Sequence, residues 1–324
     1  MNIFISGGAG FIGSSLSRKL LSYPRVKNLV IFDNFSSGTI DHISDILTFE
    51  KIKLIKGDIK NLELLVNSMS NIDLVVHFAA NPDIAKAVNQ PDIDFWEGTY
   101  LTQNILEAMR LNKVKNILYT SGSGVYGEAP NTQFHESHGP LFPISTYGAS
   151  KLACEALISS YCHMFGMQGR AFRFANVVGP KQTHGVGYDF IRRLKADPTS
   201  LRILGDGSQT KSYIHVEDVL NAMMLVYEHM LHAGSPLFDV FNVATDDYIS
   251  VTQIADIACE VAGLNSALVG YEYTGGDRGW KGDVPKVLFN VEKIKALGWK
   301  AYRTSFEAIK DSITSMKEEL EALK

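Results

Sequence analysis

Two residues four apart, Tyr147 and Lys151 in the run Ser145-Thr-Tyr-Gly-Ala-Ser-Lys151, carry the most specific chemistry of this chain. On a helix that spacing puts both side chains on one face, one turn apart. An ammonium held near a phenol favours the phenolate. The pair is then an acid/base able to take a proton from a sugar or alcohol hydroxyl and return it. Tyr–Lys pairs at this spacing also occur by chance, so the elements around them must decide what the pair does.

The chain opens with a short apolar strand, then Gly7-Gly-Ala-Gly10-Phe11-Ile12-Gly13, then an amphipathic segment with Leu16, Leu20 and Leu21. Glycines suit a tight turn and a close backbone approach to a pyrophosphate, whose charge then meets the free N–H groups of the following helix. Asp33 ends a second apolar run, Asn28 to Phe32, twenty residues after Gly13. A carboxylate there accepts hydrogen bonds from an adenosine ribose and repels a 2′-phosphate. No Lys or Arg lies between Asn28 and Glu50. Strand, glycine turn, helix and distant acid together predict a dinucleotide site, with NAD favoured over NADP. With the Tyr–Lys pair, the predicted chemistry is hydride transfer.

These residues need a frame. Apolar runs at 53–55, 74–78, 116–119, 170–174 and 241–243 read as strands, and the patterns at 62–69, 98–110 and 147–165 as helices. Strands alternating with helices predict an α/β fold, a doubly wound parallel (Rossmann) sheet with ligands beyond the carboxyl ends of the strands. From about Asn176 the pattern loosens into Gly-rich and polar segments, expected to form a smaller C-terminal α/β substrate lobe. The boundaries expected are 1–174 for the dinucleotide domain, with a returning segment near 213–247, and 175–212 plus 248–324 for the lobe. The amphipathic run from Ser305 to Lys324 reads as a solvated capping helix.

Composition excludes several classes. The chain has 324 residues and a formal charge of -4, which gives no reason to expect nucleic acid or an anionic membrane as partner. No uninterrupted apolar run reaches the roughly 18 residues of a membrane helix. The first strand begins at residue 2, leaving no room for a signal peptide, so a cytoplasmic location is expected. Cys154, Cys162 and Cys259 are odd in number and far apart, which reads as reduced thiols in a cytoplasm. His135, Glu136 and His138 lack the spacing of a metal site, and no metal is expected. His77 reads as a packed core histidine.

The motifs together resemble the extended short-chain dehydrogenase/reductases, and among these the nucleotide-sugar epimerases. The resemblance covers almost the whole chain. It rests on Gly7 to Gly13, Asp33-Asn-Phe-Ser-Ser-Gly38, Gly57-Asp-Ile59, His77-Phe-Ala-Ala80, Val125-Tyr-Gly127, Tyr147 with Lys151, Asn176, Gly205-Asp-Gly207 through Tyr213, and Gly282-Asp-Val-Pro285. It implies an NAD-dependent enzyme that inverts C4 of a nucleoside-diphosphate hexose through a 4-keto intermediate, UDP-glucose and UDP-galactose being the first pair. It further implies that Asn34, Ser36, Gly38, Asp58, Ile59, Phe78, Ala79 and Ala80 line the cofactor. Tyr147 and Lys151 would also meet the cofactor, Lys151 at its nicotinamide ribose. Lys86, Ser123, Tyr147, Asn176, Gln209, Lys211, Tyr213, Arg278 and Asp283 would meet the nucleotide sugar. Trp280 beside Arg278 suggests an ordered loop. The helices at 98–110 and 147–165 would join two copies into a homodimer.

The chain departs from that pattern in two places. Where the family has a Ser or Thr, four residues before the tyrosine of Val-Tyr-Gly, this chain has Gly122. Ser121 and Ser123 flank it, and either could supply the missing hydroxyl; Ser123 is favoured. Lys211 stands where an Arg is common, which loses bidentate pairing and leaves the base open. The run Ser121-Gly-Ser-Gly124 holds no carboxylate, so water elimination, which needs an acid/base pair there, is poorly supported. Epimerases of UDP-N-acetylhexosamines, UDP-uronates or GDP- and CDP-sugars, a 4-ketosugar reductase, and an NAD-binding protein without catalysis stay open.

Overall fold

The computed structural model describes residues 1–129, 131–279 and 282–322. In chain order its main elements begin with β1 (Asn2–Ser6), α1 (Phe11–Leu21), β2 (Asn28–Asp33), β3 (Ile52–Lys56), α2 (Leu62–Ser68), β4 (Leu74–His77), α3 (Tyr100–Leu111) and β5 (Asn116–Gly122). There follow β6 (Gln133–Phe134), α4 (Thr146–Phe165), β7 (Gln168–Phe174), β8 (Asn176–Val178), α5 (Val186–Ala196), β9 (Ser200–Ile203), β10 (Thr210–Lys211) and β11 (Tyr213–His215). The last are α6 (Val216–Met230), β12 (Phe238–Val243), β13 (Ile249–Ser250), α7 (Val251–Ala262), β14 (Gly270–Tyr273), β15 (Leu288–Phe289), α8 (Glu292–Lys295) and α9 (Ser305–Ala322).

Seven strands form the principal sheet in the order β12-β7-β5-β4-β1-β2-β3. The pairs β1–β2, β1–β4, β2–β3 and β4–β5 are parallel. Strand order reverses between β1 and β4, and such a switch point is where doubly wound sheets bind ligands. Ile3, Phe4 and Ile5 of β1 and Leu29 to Phe32 of β2 are all buried. Continuous burial is the mark of central parallel strands covered on both faces by helices.

The chain divides into two compact units. The first comprises 1–127, 141–173 and 223–241, with a core built around Phe4, Phe32, Val75, Ile105, Ile117 and Ile158. The second comprises 128–140, 174–222 and 242–324, with a separate core around Phe190, Ile203, Ile254, Ile309 and Ile313. The returning segment is thus shorter than the 213–247 expected. Its first residues go instead to the second unit, because Tyr213 to His215 pairs in parallel with Asn176 to Val178. Residues 128–140 also belong there, since the Asn242 side-chain amide bonds the Phe134 carbonyl and β6 pairs with β15.

The loosened pattern after Asn176 hides three long helices, α5, α6 and α7. Helix α7 had a legible start: the Ser250 hydroxyl accepts from Gln253 N–H while the Gln253 side chain accepts from Ser250 N–H. That reciprocal capping box satisfies two helix-end donors. Among the described residues no helix is long and apolar enough to cross a membrane, and the three cysteines are free and buried.

Candidate active site

The glycine-rich turn is built by close backbone contacts. Gly7 has φ +69, and a Cβ there would lie 2.8 Å from the Ala79 nitrogen. A Cβ on Gly13 would lie 2.3 Å from the Gly7 carbonyl oxygen. Glycine is therefore required at both places. Helix α1 starts at Phe11 after Gly10, which gives it no side-chain cap, so the N–H groups of Phe11, Ile12 and Gly13 stand at a positive helix end that suits a phosphate. Asp33, buried at the end of β2, accepts from Ala9 N–H and Phe35 N–H, both at 2.8 Å. Those bonds aim its carboxylate at the turn and leave lone pairs for two ribose hydroxyls. These residues fit a dinucleotide.

Around them, Gly38 lies against Ala9, with a hypothetical Cβ 2.8 Å from its carbonyl carbon. The Asn34 side chain donates to Asp58 and accepts from Ser36 N–H. Ile59 is buried, and Phe78 N–H bonds the Ser6 carbonyl at the end of β1. Ala79 lies against Gly7, and Ala80 follows it in the same loop. One expectation changes. Strand register sets Lys56 opposite Asp33, with its ammonium 5.9 Å from the Phe35 ring. A cation does stand beside Asp33 in the sheet, contributed by the neighbouring strand and invisible in the local sequence.

His77 closes β4. Its Nδ1 bonds the Ser6 hydroxyl at 2.6 Å and its Nε2 the Thr102 hydroxyl at 3.1 Å, and the ring is wholly buried. Burial, reinforced by the Lys151 charge, lowers its pKa from 6.5 to about 3. The folded state holds it neutral, whereas the unfolded chain protonates it below 6.5. Its stabilising contribution is therefore complete above 6.5 and is lost as pH falls towards 3, by about 1.4 kcal/mol per pH unit. Urea denaturation from pH 7 to 4 should show this slope, and His77→Asn should flatten it. An unchanged slope would remove His77 as the cause.

Ser145 caps helix α4 by accepting from Gly148 N–H, and Gly166 ends it with φ 62. Tyr147 is half-buried near the helix start. Lys151 is buried, donates to the Thr120 carbonyl at 2.7 Å, and sits 5.4 Å from the Tyr147 ring centre. The carbonyl contact fixes the ammonium at the end of β5, beneath the phenol. Asp94 ties this helix start to the loop after β4, accepting from Thr146 and from Asn81.

Gly122 has an ordinary extended backbone, φ -162, so no unusual geometry demands glycine there. A Cβ on it would lie 3.9 Å from the Tyr147 ring and 4.0 Å from its hydroxyl oxygen, an ordinary contact. The missing side chain would therefore face Tyr147. Ser121 is corrected as a catalytic candidate. Neighbours on a strand point to opposite faces, and its buried hydroxyl donates to Glu155 at 2.6 Å. Ser123 opens the following turn, half-buried, and its hydroxyl bonds no described residue. Lys86 is exposed on a short helical turn, Ile84–Val88.

The second unit gathers most of the expected nucleotide-sugar residues. Asn176 is exposed at the start of β8, its amide donating to the Ser212 carbonyl. Lys211 pairs with Asp283 at 2.5 Å, and Asp283 also accepts from Gly279 N–H. Gln209 is buried under the Leu204–Gly207 turn, with its nitrogen 3.4 Å from the Leu204 carbonyl. Burial, with the nearby Asp283 charge, pushes the Tyr213 phenol up, so it stays a neutral donor. Arg278 donates to both oxygens of Glu128, at 2.9 and 3.2 Å, and to the Asp283 carbonyl. Trp280, expected to order this loop, lies outside the described residues. His135 bonds Ser137, Glu136 accepts from Asn242 N–H, and the His138 ring meets Phe134 edge-on. Those contacts give the three residues structural roles.

The chain is similar to known proteins over most of its length. A UDP-glucose 4-epimerase of Mycolicibacterium smegmatis is 32% identical over 253 residues, spanning 76% of this chain and 77% of that one. A crystal structure of a UDP-galactose 4-epimerase matches with a TM-score of 0.87 at 35% identity, covering 99% of this chain and all of the other. A UDP-N-acetylglucosamine 4-epimerase of Methanobrevibacter ruminantium, solved with UDP-N-acetylmuramic acid, matches at 0.84 and 26% identity over 98% of each chain. Residues 3–244 match the NAD dependent epimerase/dehydratase family, so the chain belongs to that family, and NAD is its cofactor.

Proposed function

We propose that the protein is a nucleotide-sugar 4-epimerase acting on UDP-glucose and UDP-galactose. The observation that carries this reading is the Tyr147–Lys151 pair on one face of α4, with Lys151 anchored at Thr120 and no carboxylate between Ser121 and Gly124. An acid/base that can only move a proton on and off a hydroxyl suits reversible oxidation of a carbinol. Elimination would need a further acid and base, and the run from Ser121 to Gly124 supplies neither.

In this reading Tyr147 takes the proton of the sugar 4-hydroxyl, and Lys151 holds a positive charge beneath it. NAD, when bound, supplies the hydride acceptor and then the donor. Gly7 to Gly13 and Asp33 would hold its pyrophosphate and adenosine ribose, and Lys151 would bond its nicotinamide ribose. Asn176, Lys211 and Arg278 keep the diphosphate while the ring turns over, with Gln209, Tyr213 and Asp283 about the nucleoside. Lys86 and Ser123 complete the sugar contacts. With the turned ring presenting its other face, Tyr147 then returns the proton to the same 4-oxygen. Because the hydride taken from C4 would be given back to C4, no external reductant is consumed.

We assign the protein to the cytoplasm on its three reduced, buried thiols, and to a homodimer on the exposed Phe95, Trp96, Leu111, Met164 and Phe165. Large apolar side chains concentrated near α3 and α4 suit a second copy; a monomer mass in light scattering would remove that assignment.

Purified protein incubated with UDP-galactose and no added cofactor should yield UDP-glucose, resolved by chromatography. No conversion, with NAD found in the released nucleotide, would exclude this sugar. UDP-N-acetylhexosamines, UDP-uronates and GDP- and CDP-sugars would then be the panel to try.

A further inference from the structure

The face of α4 that carries Tyr147 and Lys151 continues, four residues on, to Glu155. It is buried, at 4% exposure. Every contact it makes leads to the turn beside Tyr147. Glu155 Oε1 accepts from the Ser121 hydroxyl at 2.6 Å and from Arg173 Nε at 3.0 Å, and Oε2 accepts from Arg173 Nη2 at 2.7 Å. Arg173 is 3% exposed, and its guanidinium carbon lies 4.8 Å from the Tyr126 ring centre. Ser121 precedes Gly122, and Tyr126 ends the turn that follows it. Glu155 thus holds one end of the Gly122-Ser-Gly-Val segment directly, and the other through Arg173.

The same segment meets the first turn of α4 backbone to backbone. A Cβ on Gly148 would lie 2.4 Å from the Gly124 carbonyl oxygen. Two glycines therefore set how close the turn comes to Tyr147, and the buried pair sets where its ends lie. A buried ion pair is weak evidence for net stability, because desolvation offsets much of the Coulomb gain. What it supplies here is placement.

We propose that Glu155 and Ser121 are positioning residues for catalysis, a buried clamp through Arg173 and Tyr126 that fixes the Gly122 turn against the Tyr147 hydroxyl. The inference rests on the epimerase reading for its activity measurement only. Two variants separate the clamp from its alternatives. Ser121→Ala leaves the Glu155–Arg173 pair in place, so the fold is kept. The double variant Glu155→Leu/Arg173→Met replaces the pair with apolar side chains, a change proteins often tolerate, and leaves the Ser121 hydroxyl intact.

In Ser121→Ala, kcat should fall about tenfold with KM within about twofold, since loosened geometry acts on the reacting atoms more than on binding. The double variant should lose at least as much, although its Ser121 hydroxyl remains. Amide hydrogen exchange should quicken in peptides covering 121–126 in both variants, with the thermal midpoint of Ser121→Ala lowered by only the few degrees that one lost buried hydrogen bond explains. This second measurement needs no substrate, so it stands even if UDP-sugars prove inert. Full kcat in the double variant with loss in Ser121→Ala would overturn the clamp and restore Ser121 as a direct proton carrier. Unchanged exchange over 121–126 would overturn it as well.

Discussion

Tyr147→Phe is expected to abolish interconversion, lowering kcat by about a thousandfold, the scale of a lost positioned acid/base. The substitution removes one oxygen and little else. The ring stays half-buried on α4, its face still meets the Lys151 ammonium 5.4 Å away, and the Ser145 cap is untouched. Thermal stability and NAD content should therefore match the parent protein. Lys151 would remain bonded to Thr120, so the charge beneath the ring stays while the proton carrier is gone. A variant retaining a tenth of the parent rate would assign proton transfer elsewhere, with Ser123 the first residue to test. Equal loss of NAD and activity would mean instead that Tyr147 holds the cofactor.

Much of the site was legible in the sequence because its parts are local. The glycine turn, its strand and its helix span twenty residues, Asn2 to Leu21, and the Tyr147–Lys151 spacing is a helical turn. The positions that local reading misjudged are those decided by long-range contacts. Ser121 looked like a free hydroxyl, yet it bonds Glu155, 34 residues away, and Glu155 in turn bonds Arg173, 18 residues further. Lys56 became a neighbour of Asp33 only through sheet register. Gly122, where a hydroxyl was missing, is extended and matters for the space it leaves beside Tyr147. The helices α5, α6 and α7 have regular apolar periods, and α6 and α7 hold no glycine. They were missed because the Gly-rich stretches at 179–187 and 205–207 set the reading of the whole region.

Arg278→Ala is expected to raise the KM for a UDP-sugar, and the Kd for UDP, by about 10- to 100-fold, the loss of two charge-assisted hydrogen bonds. The structure shows the guanidinium already engaged as such a group would be with phosphate: two N–H donors on the two oxygens of Glu128. A carboxylate and a phosphate offer the same pair of acceptors, and both partners are about a third exposed, so the exchange buries little new charge. Lys should not restore affinity at 278, because an ammonium cannot present two parallel donors. Lys211, paired with Asp283, has only that point charge, which leaves Arg278 as the planar donor for the diphosphate. Bound NAD should be unaffected, since the glycine turn and Asp33 would hold it without Arg278. Calorimetry with UDP gives the direct measurement, and rising salt should weaken the parent protein's binding more than the variant's. An unchanged Kd would return Arg278 to a loop residue held by Glu128, and would place the diphosphate on Asn176 and Lys211.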